Sequence, residues 1–204
     1  FTWFISTKSG YESRVGYNNN KVYLLMPSNS NIYGVQYLTL DNRKFYSISF
    51  DSNAEPFKSL FTYEGTYPKA DQAMDISLTE LPVIKSTPSS RELSFTYKGE
   101  EHSFEVEYNT NIIEFFQNYP QTELDLYFKA QMAPETAHGI ITNLKPIIEG
   151  RSEKEAVEIL LRFVQTAFAY KTDDEQFGKE KYLLPVETFY YPYSDCEDRS
   201  FLFA

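Results

Sequence analysis

Residues 191–204 read YPYSDCEDRSFLFA and contain Cys196, the only cysteine in a chain of 204 residues. A turn-forming run leads into a thiol flanked by Asp195, Glu197 and Asp198, and an apolar SFLF follows. Ser194 and Glu197, three residues apart, have the spacing of a capping box, in which both side chains take up backbone N–H groups that a helix start leaves unpaired. The stretch therefore predicts a helix with Cys196 in its first turn. Unpaired amides and the positive end of the helix dipole favour negative charge there, one route to a nucleophilic cysteine.

Upstream lies YKTDDEQFGKEKYLLPVETFYYPYS (170–194), polar, aromatic and turn-rich. It is long for a connector, and long ordered loops tend to build sites. Before it, Ser152 and Glu155 form a second capping box ahead of AVEILLRFVQTAFAY, where Ala156, Leu160, Phe163, Val164, Ala167 and Phe168 trace one buried helical face. In APETAHGIITNLKPIIEG the positions Ala137, Ile140, Ile141, Leu144, Ile147 and Ile148 also follow helical spacing. Pro134 suits a first turn, and Pro146 is expected to kink or split that helix because it lacks a backbone donor.

The earlier part of the chain has a different period. FTWFISTKSG predicts the last turns of a helix closed by Gly10. From Ser13 to Phe50 the pattern is strand-like, with a hairpin turning at Asp41-Asn42. KSTPSSRE (85–92) reads as a polar separator, followed by a second hairpin around Lys98-Gly99-Glu100. TNIIEFFQN predicts a short helix stopped by Pro120, and ELDLYF (123–128) alternates as a strand.

Composition narrows the function classes. With 42 % apolar residues, 17 Tyr and 17 Phe, the chain has material for a core. A formal charge of −10 argues against nucleic acid or an anionic membrane as partner, since both need a basic patch. No apolar stretch approaches the ~20 residues of a membrane span. One cysteine and two histidines exclude an internal disulfide framework and a zinc-type cluster, so no cofactor is expected. Asp173, Asp174 and Glu175 lack the ligand spacing of a calcium loop and read as a solvated acidic turn. His102, in a hairpin, and His138, on a helix, read as surface or core residues. Phe189, Tyr190, Tyr191 and Tyr193 read as packing beside the cysteine helix, with a substrate groove as the competing role.

From Ser152 to Ala204 the chain resembles the N-terminal lobe of a transglutaminase-like domain, in the papain-like cysteine enzyme superfamily, and its bacterial members most closely. The residues that carry the likeness are Asp173-Asp174, then Pro185-Val186-Glu187-Thr188, then Ser194-Asp195-Cys196-Glu197-Asp198. The likeness, from Ser152 to Ala204, covers roughly a quarter of the chain. The resemblance implies attack by Cys196 on a peptide or carboxamide carbonyl, a thioester intermediate, and release to water or an amine. It assigns the Cys196 backbone N–H to the oxyanion hole, completed by a side chain of the preceding loop, for which Gln176 and Tyr193 are candidates. It also requires a histidine and an aspartate after the cysteine. Only eight residues follow Cys196, and His102 and His138 precede it.

A second likeness concerns WFISTKSGYESRVGYNNNKVYLLMPS and the hairpin to Phe50, which resemble the part of such a lobe that follows its cysteine helix. Ile32-Tyr33 then stand where the histidine would be, so this copy is expected to be degenerate. Both ends read as cuts through helices. The expectation is an internal fragment of a longer parent, whose leader would precede Phe1 and imply an extracytoplasmic setting. Apolar helix faces at the cut ends would be covered by self-association or by missing segments of the parent.

The expected fold class is α+β, an antiparallel β-rich N-terminal part followed by a helical half-lobe of a transglutaminase-like domain. The expected divisions are 1–50, the tail of a degenerate lobe; 51–128, a β-rich region; and 129–204, the N-terminal half of the transglutaminase-like domain. The leading functional expectation is a cysteine hydrolase or acyltransferase acting on a peptide or protein substrate, inactive as this chain alone. The alternative is a non-enzymatic module that binds a protein or glycan.

Overall fold

Two turns set the strand architecture. Asp41 and Asn42 have φ of 50° and 61°, and Lys98 and Gly99 have φ of 49° and 87°. Two consecutive residues at positive φ make the tight turn whose twist matches a right-handed hairpin. The computed structural model describes residues 1–18, 21–49, 57–63 and 65–204. Both hairpins expected from the sequence are present, within two compact units.

The first unit comprises residues 1–76 and 120–123. After α1 (Thr2–Lys8) come β1 (Arg14–Asn18), β2 (Lys21–Pro27), β3 (Tyr37–Leu40), β4 (Arg43–Ile48) and β5 (Phe61–Thr62). They form one antiparallel sheet in the order β3-β4-β2-β1-β5. Leu25, Phe45 and Tyr46 are buried at its centre. Arg14 lies over the Phe45 ring at 4.9 Å and pairs with Asp41 at 2.8 Å. Residues 31–36, expected to alternate as strand, instead form a turn, with Ile32 donating its N–H to the Tyr46 hydroxyl at 3.2 Å. Phe50 lies outside the described residues.

The second unit comprises residues 77–119 and 124–204 and holds a β-ribbon and helices together. Its scaffold is a two-stranded ribbon, β6 (Pro88–Tyr97) and β7 (Glu100–Asn109), in register from Pro88↔Asn109 to Tyr97↔Glu100. KSTPSSRE is therefore no separator, since its second half is strand. Proline is tolerated as the first residue of a strand, and a ribbon needs only one apolar face. Leu93, Phe95, Tyr97, Phe104, Val106 and Tyr108 are buried on that face. The opposite face is polar, where Ser90 bonds to Glu105 and Ser103 donates to Glu92 at 2.9 Å.

Four helices join the same core: α2 (Thr110–Phe116), α3 (Leu124–Phe128), α4 (Pro134–Ile148) and α5 (Glu153–Thr166), the last two packing on the ribbon itself. Asn109 caps α2 by accepting the N–H of Asn111, and Ser152 caps α5 by accepting that of Glu155. Ile159, Phe163 and Val164 are the buried side chains of α5. Pro146 does not split α4, which runs on to Ile148.

Residues 124–128 are helical, which overturns the strand expected there. Five residues are too few to separate the two periods, and burial decides the matter. Leu124 and Phe128 are exposed, whereas Tyr127 is buried and stacks on Phe201 at 5.2 Å.

The remaining elements are β8 (Ala169–Tyr170), α6 (Asp173–Phe177), α7 (Glu187–Tyr190), β9 (Tyr193–Ser194) and α8 (Cys196–Phe203). The observed class is α+β. Among the described residues no helix is long and apolar enough to cross a membrane.

Candidate functional site

The loop from 170 to 194 leaves α5 and returns to the start of α8. Its ends are brought together by a short parallel ladder, Ala169↔Tyr193 and Tyr170↔Ser194. Arg199 secures that junction. Its guanidinium donates to the carbonyls of Gln165 (2.9 Å), Phe168 (2.9 Å) and Ser194 (3.2 Å), and its Nε donates to Ser194 Oγ (3.1 Å). On the loop's other side Arg91 donates to the Tyr191 carbonyl at 2.6 Å. Guanidinium suits such work because its planar fork meets several carbonyls at once.

Cys196 is the first residue of α8 and is exposed. The cap lies one residue later than the sequence reading placed it. Asp195, not Ser194, accepts the N–H groups of Glu197 (3.1 Å) and Asp198 (3.2 Å), and Asp198, not Glu197, accepts that of Asp195 (3.2 Å). SDCED contains two overlapping boxes, S-x-x-E and D-x-x-D. Ser194 is withdrawn from capping by its place in β9 and its bond from Arg199, and Glu197 is left exposed. Among the described residues none accepts the N–H of Cys196.

Tyr170 is a neighbour of Cys196 across the β8–β9 ladder. The negative charge of Cys196 as thiolate, with lesser contributions from burial and from Asp195 and Glu197, pushes the Tyr170 phenol above its ordinary value. The two residues expected to complete an oxyanion hole lie on the same loop. Gln176 sits in α6 with its Oε1 buried and unpartnered, and the Tyr193 ring lies under the Lys171 ammonium at 4.1 Å.

Beneath the cysteine lies a buried polar layer. Asp198 is 1 % exposed; its Oδ1 accepts the N–H of Leu183 at 2.8 Å and its Oδ2 that of Asp195. Asp173 is 6 % exposed, and its Oδ2 accepts the N–H of Lys181 at 2.8 Å. The expected solvated acidic turn is thus half right: Asp174 and Glu175 face solvent, and Asp173 does not. Burial pushes the Asp173 carboxyl up to about 6 and that of Asp198 up to about 7, with Asp195 adding repulsion to both.

Carboxylate oxygens of Asp173, Asp195 and Asp198 lie within 4.8 Å of one another, the one described group whose composition suits a metal ion. Backbone N–H groups already occupy Asp173 Oδ2, Asp195 Oδ1 and both oxygens of Asp198. This donor set is built to hold main chain.

A second buried pair supports the same loop. Glu187, 1 % exposed, accepts from Lys181 Nζ at 2.9 Å and from the Leu184 N–H at 3.0 Å. Burial raises the Glu187 carboxyl even beside that ammonium. Lys181 also lies over the rings of Tyr191 (4.9 Å) and Phe177 (5.4 Å). Of the expected aromatic group, Phe189 is fully buried and packs on Phe168 at 5.8 Å, while Tyr190 is exposed.

The histidines have separate settings. His102 packs on Phe95 at 5.1 Å in the ribbon, and His138 stands one turn from Thr142 on α4. Ile32 is buried and Tyr33 exposed in the other unit.

Sequence reasoning missed Tyr170, Lys181 and Arg199. The P-x-E-T and SDCED runs marked the inward carboxylates, but nothing local marks their cationic or tyrosyl neighbours. Comparison with protein-family models, with curated proteins and with solved structures finds no match to this chain.

Proposed function

We propose that the second unit carries the nucleophile half of a transglutaminase-like acyl-transfer site, with Cys196 as the attacking group. The observation that supports this reading most is an exposed thiol on the first residue of a capped helix, with its own backbone N–H unclaimed and Tyr170 as a neighbour. In the proposed step the thiolate adds to a carboxamide carbon and the carbonyl oxygen takes up negative charge. The Cys196 N–H and the Tyr170 O–H are the donors suited to that oxygen. The C–N bond then breaks as the leaving nitrogen takes a proton from solvent, and water or a second amine cleaves the thioester, giving the acid or new amide and freeing the sulfur.

Neither His102 nor His138 supplies the imidazole such a step uses, so the chain alone is expected to turn over no amide. Its nucleophile is still testable. The chain is incubated with an activated acyl ester, with and without added imidazole, and the acyl group is located by peptide mass spectrometry. The expected result is a thioester on Cys196 that is lost in Cys196→Ser. Acylation spread over lysines with none on Cys196 overturns the proposal and favours the binding-module reading.

A further inference from the structure

Three carboxylates meet in the second unit with no cation bonded to them among the described residues. Lys181, whose backbone N–H is held by Asp173, turns its ammonium to Glu187. Arg199, adjacent to Asp198 in sequence, is committed to main-chain carbonyls and to Ser194 Oγ. Lys171 lies on the Tyr193 ring. Of the other charges acting on the cluster, Glu180 repels the Asp173 carboxylate and the Lys181 ammonium attracts it from its place beside Glu187, while Asp195 repels both buried acids. Two of the three acids are more than nine-tenths buried, so full ionisation would place three negative charges together in a poorly solvated space.

The cluster also has a mechanical role. Asp173, from α6, grips Lys181, while Asp198, from α8, grips Leu183 and the N–H of Asp195. Segment 181–183 is thereby tied on one side to α6 and on the other to the helix start that carries Cys196.

We propose that Asp173, Asp195 and Asp198 form a proton-operated clamp: with one proton shared among them the segment 181–183 is held fast, and loss of that proton near neutral pH loosens it. The raised values of Asp173 and Asp198 agree with this direction. Acids that hold their protons more tightly folded than unfolded stabilise the folded segment fully below the unfolded value of about 4. That stabilisation declines as pH rises through the folded values, between about 6 and 7. The inference rests on the proposed role of Cys196 only for what the clamp serves, namely the placement of the thiol.

The test is a pH titration of the full 204-residue chain followed by nuclear magnetic resonance, reading the amide signals of Lys181 and Leu183, which donate directly to the acids concerned. Both are expected to move with midpoints between about 5.5 and 7.5, and their exchange protection to fall at least about tenfold across that range. Asp173→Asn, which removes one charge, is expected to lower the Leu183 midpoint by about one pH unit. Midpoints below about 5 for both amides in the unmodified chain overturn the proposal without recourse to any variant. So does millimolar calcium chloride that moves both signals at neutral pH and abolishes the proton titration, which would make the cluster a cation site. The amides report on the clamp whether or not Cys196 accepts an acyl group, so failure of one reading is distinguishable from failure of the other.

Discussion

Replacing Lys181 by methionine keeps most of the side-chain volume and removes the charge opposite Glu187. The carboxylate is 1 % exposed and retains only the Leu184 N–H at 3.0 Å. Stranding one member of a buried pair typically costs about 3–5 kcal/mol. Protonation sets a ceiling on that loss. An abandoned Glu187 takes up a proton, at about 1.4 kcal/mol for each pH unit between its ordinary value of ~4.3 and the working pH, or about 4 kcal/mol near pH 7. Lost cation–π contact with Tyr191 and Phe177 adds about 0.5–1 kcal/mol. Urea unfolding of Lys181→Met near neutral pH should therefore show a loss of about 3–4 kcal/mol, shrinking by roughly 1 kcal/mol per pH unit on acidification. The double variant Lys181→Met with Glu187→Gln should recover at least half of it, since neither partner then carries an unmatched charge. A single-variant loss under about 1 kcal/mol, or one independent of pH, would refute the assignment of Lys181–Glu187 as a desolvated pair.

Arg199→Ala should cost about 2–4 kcal/mol in denaturant unfolding, and Arg199→Lys should restore little of it, because an ammonium cannot reach three carbonyls from one plane. Asp195→Ala should lower stability by about 1 kcal/mol, seen as a drop in thermal midpoint, whereas Ser194→Ala tests the discarded cap and should leave the α8 amides of Glu197 and Asp198 unshifted. Ile159→Ala, at the fully buried centre of α5, should cost about 2–5 kcal/mol. Asp173→Asn should gain stability relative to the parent as pH rises from about 4 toward about 8, the sign expected of an acid whose folded value is raised, and calorimetry showing the reverse would contradict its burial.

How far the sequence could be read depended on whether one residue or many settled each feature. The face of α5 repeats over several turns, and its buried Phe163 and Val164 were named from spacing alone. The hairpins were legible because Asp41, Asn42 and Gly99 suit positive φ. Residues 124–128 failed for want of length, and 88–92 because a polar strand half on a ribbon has no apolar alternation to display. The cap of α8 was misplaced by one residue because SDCED satisfies two boxes and the choice falls to the pairing of Ser194 with the distant Tyr170 and to its bond from Arg199, neither of which the box spacing shows. Cys196 at a helix start was correctly foreseen, but its phenolic neighbour was not, since the parallel pairing of β8 with β9 joins residues 24 positions apart.

That same pairing, with Arg199 across its base, makes residues 171–192 a loop fastened at the root. Its outermost residues, Gly178, Lys179 and Glu180, are exposed and lie beyond every tie that positions the thiol. Length can therefore be added at the tip without moving the root, at a closure cost of only about 0.6 kcal/mol for each doubling. A chain built this way separates two tasks: the foot keeps Cys196 at the start of its helix, and the tip is left open to change in length and sequence.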